Sequence, residues 1–130
     1  MLSAVEHPIV FETDDLLLER VRALALALPE VEERIQHGRP WWAVVGRPAF
    51  ALYGFGTRGL DTVTHPRSVV VHVDDDDRPA RVQDPRFFVP AYLGGKGWLG
   101  MDVDHSTDWD EVAELLDASW RRSAPGRLLR

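Results

Sequence analysis

Residues Gly94 to Pro125 constrain this chain more than any other stretch: a glycine-rich tip runs into a strand and then into a capped helix. The tip, Gly94-Gly95-Lys96-Gly97, carries the only lysine of the chain. Gly95-Lys96-Gly97-Trp98-Leu99-Gly100 has the spacing of a dinucleotide fingerprint. That chemistry needs a strand before the glycines and a helix after them, so that phosphate meets a helix N-terminus. Here Trp98, Gly100 and Asp102 alternate with Leu99, Met101 and Val103, which is the period of a strand. The pattern predicts a hairpin tip, not a nucleotide loop. Further on, Asp108 with Glu111 three residues later has the form of a capping box. Trp109, Val112, Leu116 and Trp120 then share one apolar helix face, with Ala113 and Leu115 beside it. Pro125 and Gly126 end the helix.

Upstream, Met1 to Glu12 reads as an extended lead-in. Thr13 is placed to cap a first helix whose first turn holds Asp14 and Asp15, suited to the positive end of the helix dipole. Leu17, Val21, Leu24 and Leu28 recur at helical spacing until Pro29. Val31 to His37 is a short strand or an irregular approach. Trp41–Val45 and Pro48–Tyr53 flank Gly46-Arg47, which reads as a two-residue hairpin turn with glycine first. Gly54 to Pro66 reads as a mobile loop, Ser68 to Val73 as a β-branched strand, and Asp75 to Gln83 as a short helix broken by Asp84-Pro85. Val89–Leu93 and Trp98–Val103 make a second hairpin around the glycine tip. Helices covering one face of a largely antiparallel sheet give an α+β two-layer arrangement.

Size and composition close off several classes. A chain of 130 residues is one domain by the usual size scaling, spanning 1–130. No apolar run approaches a membrane span, and the start lacks the basic and apolar regions of a signal peptide. Cysteine is absent, which removes thiolate catalysis, zinc–thiolate sites and disulfides together and makes cytoplasmic the plain expectation. The formal net charge of -6 runs against general affinity for phosphate backbones. The charge is segregated, however. Between Arg34 and Arg67 five arginines meet one acid, and between Asp102 and Asp117 seven acids meet no base.

The residues that carry chemistry are few. Asp74 to Asp77 lacks the glycine and glutamate of a calcium loop, since Pro79 and Pro85 fall on those positions, and it reads as a solvated helix start. The histidines (His7, His37, His65, His72, His105) show no metal-ligand spacing. His72 shares a strand face with Val70, so it is semi-buried or on the polar side of the sheet. No serine sits in a nucleophile elbow and no phosphate-binding loop is present. Catalytic, metal and cofactor residues are therefore expected to be none.

A binding surface is the remaining expectation. Adjacent strand residues point to opposite faces, so only one of Trp41 and Trp42 faces the helices. Arg47 and Lys96 sit at turns, and Arg58 and Arg67 flank the long loop. Two basic wings can straddle a phosphate backbone, or charged tips can simply keep loops soluble. The candidate surface is Arg47 and Lys96 on phosphate, Arg39 and Arg86 in support, and Trp98 or Trp42 as a stacking face. The other reading is a protein partner or a second copy on the open sheet face. A small-ligand site or enzyme built on His37, Arg39 and Tyr92 is the third.

The chain also resembles the MmcQ/YjbR family of small bacterial proteins. The likeness is carried by Leu28-Pro-Glu-Val-Glu-Glu, His37-Gly-Arg-Pro, Arg47-Pro-Ala-Phe-Ala, the segment Asp84-Pro-Arg-Phe-Phe-Val-Pro-Ala-Tyr-Leu-Gly-Gly-Lys-Gly-Trp, and the helix from Asp108 to Trp120. The resemblance implies an α-β(3)-α-β(2)-α two-layer fold with an antiparallel sheet, similar to secretion chaperones. It also implies a non-enzymatic, "double wing" DNA-binding label, and it brings no catalytic residues.

Overall fold

A computed structural model describes residues 15–57 and 64–129. The expected lead-in, Thr13 and residues 58–63 of the expected mobile loop lie outside them. The first helix, α1 (Leu16–Leu26), is capped by Asp15 rather than Thr13. One carboxylate oxygen of Asp15 accepts from the Leu17 and Leu18 backbone N–H groups, at 2.9 and 3.1 Å. Its other oxygen accepts from the Tyr53 hydroxyl at 2.8 Å, so the same side chain caps the helix and ties it to the sheet.

Four strands follow: β1 (Val31–Gln36), β2 (Arg39–Val44), β3 (Ala49–Phe55) and β4 (His65–His72). A short helix α2 (Arg78–Gln83), a two-residue strand β5 (Phe87–Phe88), strand β6 (Trp98–Asp102) and helix α3 (Trp109–Ser123) complete the chain. The strands form one antiparallel sheet in the order β1-β2-β3-β4-β6-β5. The α+β two-layer class is as expected, and Val31–Gln36, read as a strand or an irregular approach, is a strand, which gives four in the first run where the resemblance implies three. The extra strand exists because His37 and Gly38, both in the left-handed region, make a two-residue type I′ turn that folds β1 onto β2. Among the described residues no helix is long and apolar enough to cross a membrane.

Two turns differ from their sequence reading. The β2–β3 turn is centred on Val45-Gly46, not Gly46-Arg47, with the Arg47 N–H bonded to the Val44 carbonyl at 2.9 Å. Gly46, at φ +80°, takes the third position of a type II turn, where a side chain is strained. The strand expected at Val89–Leu93 does not form: the residues that pair with β6 are Phe87–Phe88, and the chain leaves the sheet after them. Pro90 has no N–H for a ladder, and residues 89–93 instead cross the outer sheet face, where the Ala91 N–H bonds the Gly56 carbonyl at 2.9 Å. Gly94–Lys96 is one turn of 3-10 helix rather than a hairpin tip.

The main core lies between the sheet and helices α1 and α3, built on Leu18, Val21, Trp42, Tyr53, Val69, Met101, Val112 and Leu116. A second apolar cluster, of Leu52, Phe55, Val70 and Trp98, lies on the opposite face. Trp41, Phe88, Ala91 and Leu93 pack against it. That face is therefore roofed by the chain's own 87–97 segment.

Candidate functional site

The sheet opens at one end, and α3 fills the opening. β3 and β4 are in register at Ala51 and Val71, so Phe50 and His72 would be next to pair. Instead the Ser119 hydroxyl enters between them, donating to the Phe50 carbonyl at 2.6 Å and accepting from the His72 N–H at 3.0 Å. A side chain thus stands in for a missing ladder bond, and both backbone groups stay satisfied. The β2–β3 turn is fastened to the same helix end. Arg47 Nε donates to the Ser123 carbonyl at 2.8 Å, and the Ser123 hydroxyl donates to the Pro48 carbonyl at 3.0 Å. Arginine suits this place, because the C-terminal carbonyls of a helix lack intrahelical donors and carry its negative pole.

Between these pieces lies a cleft of about 310 Å³, at the lower end of the size of small-molecule sites. Arg47 and Arg122 provide its charge, Pro48, Phe50 and Trp98 its apolar surface, and His72 stands between β3 and β6. Trp98 is positioned by the segment before it. Arg78 of α2 donates to the Trp98 and Gly94 carbonyls, at 3.3 and 3.1 Å. Gly97 has φ +89°, and a Cβ there would lie 2.6 Å from the His72 ring, so only glycine lets the tip lie against the imidazole. Burial lowers the His72 pKa from its ordinary value, and the nearby Arg122 charge lowers it further. Among the described residues its buried Nδ1 has no partner.

Arg122 also borders a second cavity, of about 210 Å³, between α2 and α3. There its guanidinium pairs with the Asp74 carboxylate.

The expected surface residues separate on this frame. Arg47 and Trp98 line the cleft. Lys96 is exposed two residues before Trp98, and among the described residues it carries no ion pair. Arg39 is not a surface residue: it is 0% exposed, with its guanidinium 4.5 Å from the centre of the Phe55 ring. Trp42 offers no stacking face, because it is the member of its pair that turns to the helices. Its indole N–H donates to Glu33 at 2.8 Å. Trp98 presents only a margin, being 9% exposed with Trp41 and His72 edge-on to it. Arg86 lies at the other end of α3, held by Asp84 and Glu111.

The sheet face offered to a protein partner or second copy carries Leu52, Phe55 and Val70 at 0% exposure, so that face holds no open apolar surface at those positions. Ser119 and Arg122 were missed by sequence reasoning. A hydroxyl at 119 on the apolar face of Val112, Leu116 and Trp120 was the available signal, since a lone polar group there needs a specific partner.

No curated relative and no solved structure matches the chain. The family model named YjbR matches residues 26–122, which takes in the sheet, α2 and nearly all of α3, including Ser119 and Arg122 of the cleft. On that match, which spans well over half of its length, the chain belongs to the YjbR family.

Proposed function

We propose that this chain is a binding protein rather than an enzyme, and that the cleft at the C-terminal end of α3 receives a small anion with an apolar body. The observation that carries this is the meeting of two arginines, Arg47 and Arg122, over Pro48, Phe50 and Trp98 in one concave site. Among the described residues Arg47 commits only its Nε, which leaves the outer edge of its guanidinium for a ligand oxygen. The two serines at the cleft donate to backbone carbonyls and among the described residues neither meets a base, which favours binding over nucleophilic chemistry.

DNA contact through basic tips takes a narrower form on this geometry. Of Arg39, Arg47, Arg86 and Lys96, Arg47 lines the cleft and Lys96 is exposed with no ion pair among the described residues, whereas Arg39 is buried and Arg86 is held by Asp84 and Glu111. Two phosphate contacts correspond to a slope of roughly -2 in log affinity against log salt.

One titration tests both readings. Benzoate, phenyl phosphate and short single- and double-stranded DNA are added to the isotope-labelled protein, and backbone NMR shifts are followed. Shifts centred on His72, Trp98 and Ser119 with the small anions, lost in Arg47→Ala, support the cleft. Shifts spread over the surface, or none at millimolar ligand, sink it. DNA that leaves fluorescence anisotropy unchanged in low salt at tens of micromolar protein ends the tip reading.

A further inference from the structure

Arg122 and His72 border both the cleft and the α2–α3 cavity, and Asp74, the partner of Arg122, stands on the cavity side alone. The pair is open to solvent, with side chains 44% and 55% exposed. Exposed pairs of this kind contribute little, because water screens them and two long side chains must be held still. The guanidinium can therefore change partner at small cost. Asp74 sits where the chain enters α2, its backbone carbonyl accepting from the Asp77 and Arg78 N–H groups, both at 3.0 Å.

From this we infer that Asp74 is a built-in competitor for the anion of the ligand and that Arg122 is an exchangeable anchor, which selects a phosphate over a carboxylate. The inference rests on the cleft reading. A ligand carboxylate that takes Arg122 from Asp74 replaces one carboxylate–guanidinium pair with another and gains little. A phosphate monoester brings close to two charges and three acceptor oxygens, so it bridges Arg122 and Arg47 together. The Asp74 carboxylate thus sets a threshold that a dianion passes and a monoanion does not. Free phosphate and a monoester share this chemistry. The apolar surface of Pro48, Phe50 and Trp98 distinguishes them by favouring the ester that carries a ring.

Isothermal titration of the full chain with phenyl phosphate, inorganic phosphate and benzoate decides the matter. The wild type binds phenyl phosphate about tenfold tighter than benzoate, the size of one added charge-assisted contact. Asp74→Asn tightens benzoate more than phenyl phosphate and narrows the ratio. Arg122→Ala weakens phenyl phosphate and brings the two probes level. Inorganic phosphate binds more weakly than the ester in all three proteins. Both substituted side chains are solvent-exposed, and circular dichroism confirms that the variants fold. If the probes bind the cleft but Asp74→Asn leaves the ratio unchanged, or Arg122→Ala preserves it, the competitor is refuted and the cleft reading stands. If no probe binds any of the three proteins, both fall together.

Discussion

The two ends of α3 hold arginines in opposite ways. At the N-terminal end, Glu111 receives Arg81 at 3.0 Å and Arg86 at 2.7 Å, while Asp84 holds Arg86 again at 2.7 Å. Each cation there is balanced by carboxylates, and Arg86 is shared between two of them. The network holds the Asp84 carboxyl down to about 2 and lowers Glu111 below its ordinary value, with the hydrogen bonds from Arg86 as the main cause of both. At the C-terminal end, Arg47 leans on a backbone carbonyl and Arg122 on one exposed carboxylate. The first end is a closed structural clamp, and the second keeps positive charge exchangeable. An arginine therefore gains or loses a binding role through what neutralises it, not through its place on a turn.

The largest effect expected from breaking this contrast is at Ser119. Replacing it with alanine leaves the Phe50 carbonyl and the His72 N–H without their shared partner inside the protein. Two stranded buried groups predict a loss of about 2–3 kcal/mol in urea unfolding. The same change removes the floor of the cleft, so the small-anion response at His72 should weaken with it. A loss of only a few tenths of a kcal/mol would mean that water takes the place of the hydroxyl. The opening between β3 and β4 would then be a wet extension of the cleft rather than a sealed joint.

Sequence reasoning reached the local features of both ends and missed what links distant parts. The Asp108 cap, the apolar face of α3 and the strand at Trp98 were readable because each is settled within one or two turns of chain. The turns were harder. His37-Gly38 and Gly46-Arg47 both place a glycine beside a polar residue, and only the pairing of Gln36 with Arg39 shows which is the tight hairpin. Availability of charge was least readable. Arg86 meets Glu111 across 25 positions, and Arg122 meets Asp74 across 48, so no local pattern says which cation is held fast. Trp41 and Trp42 were known to face opposite ways, but which faced the helices depended on packing against α1 and α3.

A smaller effect tests whether the N-terminal end is structural alone. Asp108 accepts from the Asp110 and Glu111 N–H groups, at 3.0 and 3.3 Å. Its replacement by alanine removes an N-cap and should cost about 1 kcal/mol. Affinity for phenyl phosphate at the far end of the helix should not change. A parallel loss of affinity would show that the two ends are coupled through the helix, and the contrast drawn between them would fail.

The smallest effects are in the acid dependence of stability, and they separate the two ends by pH. All three groups concerned have lowered pKa values in the folded chain, so each stabilises it above its unfolded value and loses that contribution as pH falls. For His72 the loss begins near 6.5, because burial and Arg122 oppose the charged ring, against weaker support for it from the Lys96 backbone and the carboxylates of Asp74 and Asp75. For Glu111 and Asp84 it begins near 4.5 and 3.8, and for Asp84 it continues to about 2. Urea midpoints measured from pH 8 to pH 2 should therefore fall in two stages, the upper from the cleft end of α3 and the lower from the clamp end together with Glu30 and Asp104, whose pKa values are also lowered, by Arg127 and by Ser106. His72→Gln should flatten the upper stage and leave the lower one in place. Arg86→Ala should shrink the lower stage, because Asp84 and Glu111 return toward their ordinary values, and leave the upper one untouched. If Arg86→Ala moved the upper stage, the charge of the clamp would reach the cleft, and the two ends would have to be treated as one electrostatic unit.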